Sequence, residues 1–105
     1  MNMQSLMAQA QKMQKDIMNK KAEVDSKTFV GTSELVDVEV NGKKEVKSVN
    51  IKNKEDLTAE DIEILQDMIL IAVNDANKKV DAELDKVMGP YGNSLNGLLW
   101  FIQNH

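Results

Sequence analysis

The chain has 105 residues and a mass of 11.8 kDa, the size of one small domain. Its thirteen basic residues are all lysine, set against seventeen acids for a net charge of -4, and cysteine is absent. That composition excludes disulfides, thiolate metal sites and cysteine nucleophiles, and the single histidine, His105, argues against a catalytic triad or a multi-histidine metal centre.

Hydrophobic residues make up 42% of the chain, too many for a disordered segment, and aromatics only 4%, so the core must be aliphatic. The start of the chain lacks the charged and continuously apolar regions of a signal peptide. The longest apolar runs, Met68 to Val73 and Leu98 to Ile102, fall far short of the roughly 20 residues that span a bilayer. The expectation is a cytoplasmic protein with no membrane partner.

Residues 1–27 read as a helix. Met3, Leu6, Ala10, Met13, Ile17 and Val24 recur at alternating steps of three and four, with Lys20 in the missing place. This narrow seam packs either on the protein's own sheet or on a partner helix. Met3, Met7, Met13 and Met18 are explained by adaptable packing rather than by metal binding.

Residues 28–52 change period. Val36, Val38 and Val40 alternate with polar residues, and Asn41-Gly42 follows as a hairpin signal. Val46 to Ile51 is the partner strand, with a mixed alternation that leaves the register open. Thr28 to Thr32, with Gly31 inside it, completes a three-stranded antiparallel meander, which needs a helix on one face.

Residues 59–88 read as a second helix, with Thr58 and Asp61 placed for a capping box. Its apolar stripe includes Ile62, Leu65, Ile69, Ala72, Ala76 and Val80. Ile64, Met68, Leu70, Ile71 and Val73 widen it until it must be covered from two directions. Gly89-Pro90 ends the helix. At about 45 Å it is longer than a small domain, so one end projects or meets a second chain. Residues 1–88 form the domain, and residues 89–105 are a tail ending in Leu98-Leu99-Trp100-Phe101-Ile102. Left free, those apolar residues would be an exposed patch, so they are expected to pack on the long helix or on a partner subunit.

Charge is unevenly placed. Residues 1–54 hold ten lysines and seven acids, and residues 55–105 hold three lysines and ten acids. Lys12, Lys15, Lys20 and Lys21 face a single acid, Asp16, in the first 22 residues, which makes the first helix locally basic. Screening limits the reach of distant acids to about 8–10 Å, so such a face can meet phosphates within an acidic protein. No paired carboxylates lie in an apolar setting and no glycine-rich loop fits a phosphate cradle, so an enzyme, a cofactor and a small-molecule substrate are not expected.

Three segments stand in series: Gln9-Ala10-Gln11-Lys12-Met13-Gln14, Val40-Asn41-Gly42 with Glu45 to Ile51, and above all Glu60 to Leu70 continuing through Ala72 to Lys79. In this order they resemble the YbaB/EbfC family of bacterial nucleoid-associated proteins. The resemblance covers about residues 1–100. It implies an α+β, α-β-β-β-α protomer, a two-fold homodimer with protruding helices likened to tweezers, and binding to duplex DNA without enzymatic activity. The segment Gly31 to Val36 is shorter than the family's glycine-rich turn and lacks its glycine run, which predicts either a tighter first hairpin or a re-aimed first strand.

Candidate DNA contacts are therefore Lys12, Lys15, Lys20 and Lys21, with Lys78 and Lys79 as a second pair. Candidate dimerisation residues are Met3, Leu6, Ala10, Met13 and Ile17 with Ile69 and Val73. Without arginine, bidentate reading of guanine is excluded, so phosphate contacts should dominate and sequence preference should be weak. The alternative is a protein-interaction adaptor that uses the acidic second helix and the apolar tail.

Overall fold

The computed structural model describes residues 2–91; the apolar tail segment Leu98 to Ile102 lies outside them. The order is α1 (Met3–Asp25), β1 (Thr28–Thr32), β2 (Val36–Asn41), β3 (Val46–Ile51) and α2 (Ile62–Met88), an α-β-β-β-α arrangement. Asn2 caps α1, its side chain accepting from the Gln4 N–H at 3.0 Å. A 3-10 turn, Ala59–Asp61, leads into α2, and the Asp61 carboxylate accepts the Thr58 N–H at 2.8 Å, as the capping box requires.

The sheet is antiparallel with order β1-β2-β3. Val36, Val38 and Val40 are fully buried against α2, which contributes Ala72, Ala76 and Val80 to the same core beside Phe29 and Val24. Two glycines set how closely the layers approach. A Cβ on Gly31 would collide with the Ala72 carbonyl and Ala76, and one on Gly42 with the Val24 carbonyl of α1.

Both hairpins are tight. Ser33 N–H donates to the Val36 carbonyl at 2.8 Å across Glu34-Leu35, and Ser33 Oγ accepts the Val36 N–H, which gives the short first hairpin the sequence predicts. The second differs from a two-residue Asn-Gly turn. The Asn41 carbonyl accepts from Lys44 N–H at 3.0 Å, and the left-handed residue is Lys44, at φ 64°, not Gly42. Asn41 Oδ1 also takes the Lys43 and Glu45 N–H groups.

β3 carries a bulge. Glu39 faces Ser48 while Val40 faces Val46, so Lys47 is the extra residue. The bulge explains the mixed alternation: it returns Val46 to the face of Val49 and Ile51, the one occupied by the core valines.

The molecule is long, 70 × 24 × 18 Å, with a radius of gyration of 20.0 Å; a compact chain of this length would have about 13 Å. The length comes from the helices. Val24, at the end of α1, shares the core with Val80; Leu84 and Val87, further along α2, and Ile17 and Met13, further back along α1, are half-buried, and the two helices are in contact. The two helices therefore run antiparallel and overlap beyond the sheet, and the first part of α1 continues past the end of α2. The seam divides accordingly: its lower half packs within the chain, and Met3 and Leu6 remain 75% and 43% exposed.

Candidate nucleic-acid interface

Projection of α1 carries its lysines away from the body. Lys12, Lys15 and Lys20 are exposed, and among the described residues none forms an ion pair. At 100° per residue, Lys12 and Lys15 lie opposite the seam, and Lys20 and Lys21 flank it. Lys21 is exposed too but sits 3.3 Å from Asp25, one turn on.

Lys78 and Lys79 occupy a different place, the middle of α2 beside β1. Lys79 Nζ donates to the Val30 carbonyl at 2.6 Å and lies 3.5 Å from Asp75. Asp75 in turn accepts the Thr32 N–H at 3.0 Å. That hydrogen bond, with Lys79 and Lys78 nearby, holds the Asp75 carboxyl below the usual aspartate range. Lys79 thus fastens α2 to β1. Lys78 borders a shallow hollow of about 440 Å³ with Thr32, Ile71 and Asn74.

The fold adds two basic residues that pattern reading passes over. Gly42 N–H donates to the Asp25 carbonyl at 3.2 Å, which brings the β2–β3 turn to the base of α1. Exposed Lys43 and the bulged Lys47 stand there on either side of Glu45. The Asn41 amide, followed by Lys47 and Lys43, lowers the Glu45 carboxyl below its ordinary value. The mixed alternation around Lys47 is the only sequence signal of this patch. Lys44, between them in sequence, is paired with Asp81 at 2.8 Å.

All but one of the ten acids of the second half, the exposed Asp85, are kept from this surface in two ways. Asp75, Asp81 and Glu83 each face a lysine, the last through Lys27 at 3.4 Å. Glu55, Asp56, Glu60, Asp61, Glu63 and Asp67 gather at the start of α2, the end far from the projecting part of α1. The separation along the helices is about 40 Å at 1.5 Å per residue, several screening lengths.

Among the described residues no group of three or more histidine, cysteine or acidic side chains is placed to hold a metal, and no helix is long and apolar enough to cross a membrane.

The model of the YbaB/EbfC DNA-binding family matches residues 1–95. The chain belongs to this family. It is 43% identical over 97 residues to a nucleoid-associated protein of Lactococcus lactis subsp. cremoris, covering 90% of this chain and 97% of that one. A nucleoid-associated protein of Ligilactobacillus salivarius is 37% identical over 100 residues, covering 93% and 95%. One of Enterococcus faecalis is 36% identical over 98 residues, covering 91% and 93%. For a YbaB/EbfC chain, a basic projecting helix with most of the unpaired acids of the second half at the opposite end is the natural place to look for DNA.

Proposed function

We propose that this protein binds duplex DNA as a nucleoid-associated homodimer, without enzymatic activity, and that Lys12, Lys15 and Lys20 of α1 make the main phosphate contacts. The observation that carries the reading is their exposure on a projecting helix without acidic partners. Lys43 and Lys47 extend the surface at the base of α1. Lys21 and Lys78 are secondary contacts. Lys79 is already engaged with Val30 and Asp75 and is a weak candidate. Lysine ammonium groups bind phosphate as point charges, so affinity is mainly electrostatic and its dependence on sequence is weak.

The dimer reading rests on uncovered apolar surface. Only one side of α2 is covered by the sheet. Asp75 and Lys79 mark the flank of α2 over β1, and Asp81, paired with Lys44, marks the flank toward β3. Leu70, Val73 and Asn77 share the Asp81 flank. There Leu70 is 62% exposed, and Val46 and Val49 of β3 are 48% and 47% exposed on the inner face of the sheet. Asn77 Oδ1 is buried with no donor among the described residues. We place the two-fold interface on this flank, with Ile69 and Val73 joined by Leu70, Val46 and Val49. Met13 and Ile17 are half-buried within the single chain, which leaves the first turns of α1 to protrude.

Titration of duplex DNA at 50 and 200 mM salt tests the reading. With about four phosphate contacts, affinity falls by roughly two orders of magnitude between the two conditions. No binding at 50 mM salt overturns it in favour of an adaptor that uses the exposed apolar face of α2.

A further inference from the structure

The unpartnered half of the α1 seam lies within reach of a later segment of the same chain. Met3, Leu6, Met7 and Ala10 form an exposed apolar strip where α1 continues past the end of α2. The strip is bare because α2 stops: Met88 is its last residue, and the 3-10 turn Gly89–Tyr91 follows. The chain that leaves Tyr91 at that level has fourteen more residues, numbers 92–105.

Reach and chemistry both fit. Residues 92–97 are Gly, Asn, Ser, Leu, Asn and Gly, a spacer that spans up to about 20 Å when extended. From Met13 to Met3 the helix rises about 15 Å. The five residues after the spacer, Leu98 to Ile102, are all apolar and include the only tryptophan, Trp100, and Phe101. Aromatic side chains of this size bury about 150–250 Å² each and pack favourably on thioether sulfur, which the strip supplies at Met3 and Met7. Residues 92–102 carry no charge, and Lys12 and Lys15 lie on the opposite side of α1.

We propose that Leu98 to Ile102 docks on the Met3–Leu6–Met7–Ala10 face of α1 in its own chain. The tail then continues the support that α2 gives the lower half of the helix. It stiffens a basic arm without masking its lysines.

The full-length protein tests this through Trp100 emission. Docking gives a blue-shifted maximum that does not change on dilution. Leu6→Asp moves the maximum toward that of free tryptophan and raises acrylamide quenching severalfold. Ser5→Asp, on an exposed face of the same helix about 150° from the strip, leaves both unchanged. Because the chain has no cysteine, Leu6→Cys combined with Leu99→Cys gives an independent readout. Oxidation closes a disulfide within one chain, seen as faster migration on a non-reducing gel, whereas Ser5→Cys with Leu99→Cys does not close. Emission like that of free tryptophan in the parent overturns the proposal. So does an emission shift that follows dimer dissociation, or a cross-link that joins two chains, either of which gives the strip to a second copy.

Discussion

Gly31 of β1 faces Ala76 of α2 so closely that a methyl group on Gly31 would stand 2.7 Å from the Ala76 Cβ. Both residues are small because the strand and helix backbones meet there. Gly31→Ala pushes α2 off β1 and is expected to lower stability by about 1–3 kcal/mol, the usual cost of overpacking. Urea denaturation checks it as a lower midpoint at unchanged slope. An unchanged midpoint would mean that the layers separate freely.

Acid should loosen the same contact through Asp75. Its carboxyl titrates below the usual aspartate range because the Thr32 N–H, and then Lys79, favour the charged form. A folded-state value below the unfolded one contributes stability above the unfolded value, and that stability disappears as pH falls through the folded one. The stability gap between the parent and Asp75→Asn should hold steady near neutrality and shrink as pH falls through the aspartate range. Urea midpoints measured across that range give the comparison, and a gap that widens in acid contradicts it.

Replacing Lys12 and Lys15 together by Ala should weaken binding alike on all duplexes. The salt slope should flatten by about 0.9 for each phosphate that the variant leaves unneutralised. Both side chains are exposed and off the seam, so the melting temperature should stay where it is. Unchanged affinity and slope would remove α1 from the DNA surface.

Leu70→Glu places a charge on the exposed flank of α2 facing β3. Sedimentation at micromolar concentration should change from about twice 11.8 kDa to a single chain. DNA affinity should fall with it, as two linked arms become two separate ones. A variant that keeps the mass of the parent places the interface elsewhere.

Much of this fold is legible in the sequence, because its elements have clean periods. The alternation of Val36, Val38 and Val40 identifies the core face of β2, and the spacing of Ala72, Ala76 and Val80 identifies that of α2. Asn41-Gly42 marks a hairpin correctly but through other physics. Gly42 is small to admit α1, and Lys44 takes the left-handed position. Nothing local encodes a contact between residues 42 and 24. The basic surface is partly legible for the same reason. Lys12 and Lys15 stand out on a helical wheel, whereas Lys43 and Lys47 join them only through a turn and a bulge. The division of the α1 seam is set by where α2 ends, which a heptad pattern does not contain.

The β2–β3 turn touches every layer of the molecule. Gly42 abuts the last turn of α1, Lys44 is bound to Asp81 of α2, and Asn41 closes the strands. These few residues therefore act as the bracket that fixes the angle at which α1 leaves the body. In a two-fold assembly that angle sets the distance between the two basic arms, and hence the length of duplex they straddle. Inserting one residue after Lys43 would re-aim both arms at once. The footprint on DNA, counted in base pairs, should then change although no lysine has been altered.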